Sequence, residues 1–135
     1  MDFDEFTGQV QQGARLASTG ETMAAIRATL TTLSERLQGG AASNLAAELP
    51  TGIKEYLSDR PTAEPFGLDE FFRRVSAKEN SDLPEAIHHT RAVISVLRDA
   101  LSREAVDNAR AQLPDEYDPL FESGSEGEMR REAGV

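Results

Sequence analysis

The sequence predicts an all-α fold: two tandem copies of a roughly four-helix unit, packed with pseudo-two-fold symmetry. Three observations predict it. First, LSERLQGGAASNLAAELPTGIKEYL has a second version, LRDALSREAVDNARAQLPDEYDPLF, 64 positions further on. Second, apolar residues recur at spacings of three and four, the period of one helix face, and no segment sustains β alternation. Third, Ser and Asp stand before the apolar runs with Glu three residues later, as at helix starts. With 135 residues the chain suffices for one compact domain or two halves sharing a core. A single unit of about 55 residues has a thin core, so the copies are expected to share one.

Copy one spans 1–57. Its first helix carries Phe3, Phe6 and Val10 on one face, with Asp2 and Glu5 as a capping box. Its second and longest helix carries Met23, Ile26, Leu30, Leu33 and Leu37, capped by Ser18 and Glu21. Gly39 and Gly40 are expected to end it, as glycine does at a helix C-terminus. A short third helix holds Leu45 and Leu49, and Pro50 opens a fourth with Ile53, Tyr56 and Leu57.

Residues 58–66, SDRPTAEPF, are a linker that two prolines make extended and stiff. Copy two spans 67–121. Leu68, Phe71, Phe72 and Val75 repeat the first face at an offset of 65. Asp82 and Glu85 repeat the second capping box at an offset of 64, so one residue is lost in the first inter-helix turn. Pro84 fits the first helical turn, where its missing N–H costs nothing. Ile87, Ile94, Leu97 and Leu101 follow. Ser102 is expected to cap the third helix, with Val106, Ala109 and Leu113. Tyr117, Leu120 and Phe121 form the last, which Pro119 is expected to weaken. Residues 122–135, ESGSEGEMRREAGV, have little to bury and read as a disordered acidic tail.

The succession DEFxxxV, a long helix ending LxxRL or LRxAL, and AxxLP before a short aromatic or aliphatic helix resembles the Domain of Unknown Function 2267 family. The resemblance covers residues 2 to 121 and both copies. It implies a small duplicated helical protein. It implies no activity and no functional residue.

Composition narrows the function. The formal net charge is −10, and acids outnumber bases in residues 1–60 (8 to 5), 61–121 (12 to 7) and 122–135 (4 to 2). No basic stripe exists to meet phosphates, so nucleic acid is not an expected partner. The bases are 12 Arg and 2 Lys. An acid-rich, Lys-poor chain fits a salt-loving organism such as a halophilic archaeon, where salt screens the repulsion. It also fits an acidic bacterial protein from a GC-rich genome. The absence of Cys excludes disulfides and thiolate chemistry. MDFDEF lacks the basic start and apolar run of a secretory signal, and no stretch is apolar enough to span a membrane. A cytoplasmic location is expected.

Candidate chemistry is sparse. Glu85 and His88 form Glu-x-x-His, a spacing that places both on one helix face and that di-iron bundles use. Copy one has Glu21 but Ala24 and Ala25 in place of His88 and His89, so half the ligand set is missing. A partly exposed histidine pair on a helix, beside a capping Glu, is the expected reading, with no metal and no cofactor. Asp4 with Glu5 and Asp69 with Glu70 recur, but both pairs fall in a first helical turn where acids favour the dipole. No serine sits in a nucleophile elbow, and Gly39 and Gly40 lack the Lys of a phosphate loop. Phe72 matches Thr7 and either fills the seam between copies or faces a partner.

The expected function is therefore a non-enzymatic helical module with a protein-interaction or stress-related accessory role. Its partner is a protein or a second copy. Two alternatives stay open: an acidic nucleic-acid mimic, and a small-ligand protein or enzyme using a pocket between the copies.

Overall fold

The computed structural model describes residues 1–123. They form seven α-helices and two 3₁₀ turns: α1 Phe3–Ala14, α2 Thr19–Arg36, α3 Ala41–Ala46, a 3₁₀ turn at Lys54–Tyr56, α4 Leu68–Glu79, α5 Leu83–Ala100, α6 Arg103–Arg110, a second turn at Asp115–Tyr117, and α7 Asp118–Ser123. The described residues contain no strand, and none of their helices is long and apolar enough to cross a membrane. Glu122 and Ser123, expected in a disordered tail, close α7; the rest of that segment, 124–135, lies outside the described residues.

The helix starts fall where the capping residues predict, but the bonds differ in detail. In α1 the box is reciprocal: Glu5 N–H donates to Asp2 Oδ1 at 2.8 Å and Asp2 N–H to Glu5 Oε1 at 3.0 Å. In α2, Ser18 Oγ accepts from Glu21 N–H, but the Glu21 carboxylate accepts from Ala17 instead. In α5, Asp82 accepts from Glu85 N–H at 2.9 Å, and no bond returns from the Glu85 carboxylate among the described residues. α4 has no local side-chain cap. Glu116, from the far end of the chain, accepts from Leu68 N–H at 3.3 Å.

The glycine pair does not end α2. That helix stops at Arg36, and Leu37 turns into extended backbone while its N–H still bonds Leu33 at 3.1 Å. Leu101 does the same after α5. Leaving the helix lets Leu37 reach the core, where it is 1% exposed. Gly39 and Gly40, both left-handed, instead shape the entry to α3.

The last elements also differ from expectation. After Pro50 there is only a 3₁₀ turn where a fourth helix was expected, because Gly52 at φ 98 interrupts the chain. Phe3 lies over that glycine, in space a Cβ would occupy. The stretch after Pro114, expected to be weaker, continues into α7. Pro119 stands second in α7, where an N–H has no intrahelical acceptor to lose.

The core joins all the long helices. α1 packs on α2 and α5, α4 packs on α5 and α2, α2 crosses α5, and α3 meets α6. Phe6, Val10, Ile26, Leu30, Phe71, Val75, Ile94 and Tyr117 are buried in one cluster, and Phe72 belongs to it. α2 is buried around most of its circumference, with Thr22, Thr29, Thr32 and Ser34 inaccessible. Met23, expected on its apolar face, is half-buried.

Residues 58–66 run without helix and are fastened by polar groups. Glu64 N–H bonds Glu35 O at 2.9 Å. Arg36 Nε and Tyr117 Oη both donate to Phe66 O, at 2.9 and 2.8 Å. Arg74 lies 3.9 Å from the centre of the Phe66 ring and pairs with Glu35, Glu64 and Glu70. Lys78 adds bonds to Glu35 and to Thr32. Burial pushes the Glu35 carboxyl up, but Lys78 and Arg74 more than offset this and hold it below its ordinary value. The same carboxylates, Glu64 foremost, raise the Arg74 guanidinium.

Candidate functional site

Both inter-helix turns close alike. α1 ends on Arg15 and α4 on Asn80, each in the left-handed region at φ 57 and φ 59. Leu16 N–H then bonds Gln11 O at 3.0 Å, and Ser81 N–H bonds Ser76 O at 3.1 Å. The Gln11 amide and the Ser76 hydroxyl each donate to the carbonyl of the same turn, Leu16 and Ser81.

An open cleft of about 690 Å³ lies between these turns. The first turn and the start of α2 contribute Ala14, Arg15, Leu16, Ala17, Glu21 and Ala24. The second turn and the start of α5 contribute Glu79, Asn80, Ser81, Pro84, Glu85, His88 and His89.

A carboxylate–imidazole pair is buried in its wall. The Glu79 side chain is only 4% exposed and that of His89 15%. His89 Nδ1 lies 3.0 Å from both Glu79 oxygens, and Ser81 Oγ donates to Glu79 Oε1 at 2.7 Å. A carboxylate only accepts, so the neutral imidazole carries its proton on Nδ1 and presents a lone pair at Nε2. Such a ring can accept a hydrogen bond from a guest or take up its proton.

The structure brings Glu85 and His88 to the same cleft, both exposed. It does not assemble them into a metal centre. Among the described residues no group of three or more His, Asp and Glu is arranged to hold a metal ion. The repeated acidic pairs lie elsewhere. Glu5 caps α1, while Glu70 bonds Arg73 and Arg74, which lower its carboxyl. Glu79 has no counterpart in the sequence reading. It lies ten residues before its partner, across a turn, and Ala14 occupies the matching position in the first half. The available signal was that contrast, an acid against a buried alanine at one register position.

A seven-helix fold with an open cleft between two like turns defines a small all-helical protein without an assembled metal centre among its described residues. The chain belongs to the family described as Uncharacterized conserved protein (DUF2267), whose model matches residues 3–120. No curated protein matches the chain.

Proposed function

We propose that this chain is a non-enzymatic helical binding module with an accessory role, built by tandem duplication, and that the cleft between the two turns is its recognition site. The cleft carries the proposal: both halves line it from matched positions, and a buried carboxylate orients an imidazole within it. Reciprocal packing supports the duplicated, pseudo-two-fold arrangement, since α1 lies on α5 as α4 lies on α2. The units are 1–57 and 67–121, joined by 58–66. The partner is a protein, or a second copy of the chain, that reaches the cleft. The negative balance argues against nucleic acid. A cytoplasmic setting in a salt-loving cell belongs to the same proposal, supported by 24 acids against 14 bases, 12 of them Arg.

Affinity capture from source cells at native salt tests the reading, with wild type compared to Ala24→Trp, whose indole fills the cleft from a half-buried position. A stoichiometric partner held by wild type and lost by the variant supports it. Equal capture by both sinks the assignment of the cleft. The salt component fails if the protein is fully stable in dilute buffer.

A further inference from the structure

The two walls of the cleft occupy matched positions but carry different chemistry. Glu79, Ser81, His88 and His89 stand where the first half has Ala14, Leu16, Ala24 and Ala25. Both halves nevertheless close the same turn, through a left-handed residue and an N–H bond to the carbonyl five residues back. Closure therefore requires neither the carboxylate nor the imidazoles, because the first half manages with methyl groups and a Leu. Burying a carboxylate and an imidazole costs desolvation free energy that two alanines avoid. A polar cluster that the fold does not need, placed in a cleft, marks a site of use.

The chemistry of the guest follows from the lining. Glu79 engages Nδ1 of His89, so the neutral form of the ring offers Nε2 as an acceptor, and no described residue occupies that nitrogen. The Glu85 carboxylate on the same wall has no partner among the described residues either. Ala14, Leu16 and Ala17 give the facing wall an apolar stretch beside Arg15 and Glu21. The guest thus carries N–H donors at one end and an aliphatic body behind. Its charge is positive, because Glu21, Glu79 and Glu85 outnumber Arg15 among the charged lining residues.

We infer that the cleft binds a primary alkylammonium group, held by His89 Nε2 and the Glu85 carboxylate with its alkyl chain against Ala14 and Leu16. The group is a free amine or the end of a partner's lysine side chain. This rests on the binding-module reading above.

The test is an NMR titration of the full chain with four probes: butylammonium, a blocked lysine tripeptide, butanol and butyrate. The expected result is saturable shifts at Leu16 and His89 with the two amines and none with butanol or butyrate. Tighter binding of the tripeptide assigns a partner's lysine, and tighter binding of butylammonium assigns a free amine. The double variant Glu79→Ala, His89→Ala writes the first half's residues into the second. It should keep the wild-type Tm or exceed it, and weaken amine binding about tenfold to a hundredfold. If it does not fold, Glu85→Gln at an exposed position carries the same comparison. The inference is overturned if neither amine saturates, if butanol binds as well, or if the folded variant binds unchanged. If the amines fail while Ala24→Trp still abolishes capture, the ammonium assignment falls and the binding-module reading stands.

Discussion

Ser102 and Glu48 are joined twice: the Ser102 N–H donates to Glu48 Oε1 at 2.8 Å and its hydroxyl to Glu48 Oε2 at 3.1 Å. A matching bond runs the other way, from Gln38 N–H to Gln112 Oε1 at 3.0 Å. Ser102 and Gln112 stand 64 positions after Gln38 and Glu48. Each half thus reaches from the start of its third-helix region to the end of the other's.

Ser102 also caps α6 by accepting from Ala105 N–H, so Glu48 fixes a residue that already has a structural task. Glu48→Ala should cost about 1–2 kcal/mol, and Gln112→Ala about 1 kcal/mol or less, because it breaks one bond rather than two. Urea denaturation of both variants checks the order.

Gly52→Ala should be strongly destabilising. The residue sits at φ 98, and a Cβ would lie 2.6 Å from Phe3 Cδ1. We expect a loss of about 2–3 kcal/mol, of which Phe3→Ala in the same chain relieves the collision but not the backbone strain of about 1 kcal/mol. Thermal unfolding of the single and double variants separates the two contributions.

Thr29 and Thr90 are inaccessible, and their hydroxyls have no hydrogen-bond partner among the described residues. At the matched positions the other half has Val93 and Ile26. Thr29→Val and Thr90→Val should each raise stability by about 1 kcal/mol, since each removes a buried unsatisfied hydroxyl and keeps the shape. A lower urea midpoint in either variant would contradict this.

Acid should weaken the fold partly through Glu35, whose carboxyl is held below its ordinary 4.5. A carboxyl depressed by folding stabilises the native state above its unfolded pKa and loses that contribution as pH falls through the folded value. At neutral pH, Glu35→Gln should therefore be less stable than wild type. As pH falls below about 4.5 the two urea midpoints should converge.

Alkali acts in the opposite sense at Tyr117. Burial raises its phenol above 10.0, more than Arg36 lowers it. A raised value favours the neutral form, so its contribution is full below the unfolded pKa and is lost as pH climbs through the folded one. Tyr117→Phe removes the bond to Phe66 O, should cost about 1 kcal/mol at pH 7, and should flatten the loss of stability at high pH.

Much of this fold was legible in the sequence. Asp2, Ser18, Asp82 and Ser102 marked helix starts because a cap acts within three residues, and Phe6, Ile26, Leu30 and Ile94 marked faces because burial follows helical period. What escaped depends on contacts between distant segments. An apolar period cannot register four buried Thr and Ser residues on α2. Glu116 capping α4 across 48 positions carries no local pattern. The candidate site was half legible: Glu85 and His88 stood out as a spacing, whereas Glu79 became meaningful only when α4 and α5 placed it against His89.

The packing of α1 on α5 also bears on synthesis. Phe6, Val10 and Ala14 are buried, and α5 begins at Leu83, some seventy residues later. At about 5–20 residues per second, a ribosome exposes the face of the first helix that α5 covers for several seconds before α5 exists. Folding of the N-terminal half is therefore tied to completion of the C-terminal one. A stalled or truncated nascent chain would display an oily stripe to chaperones.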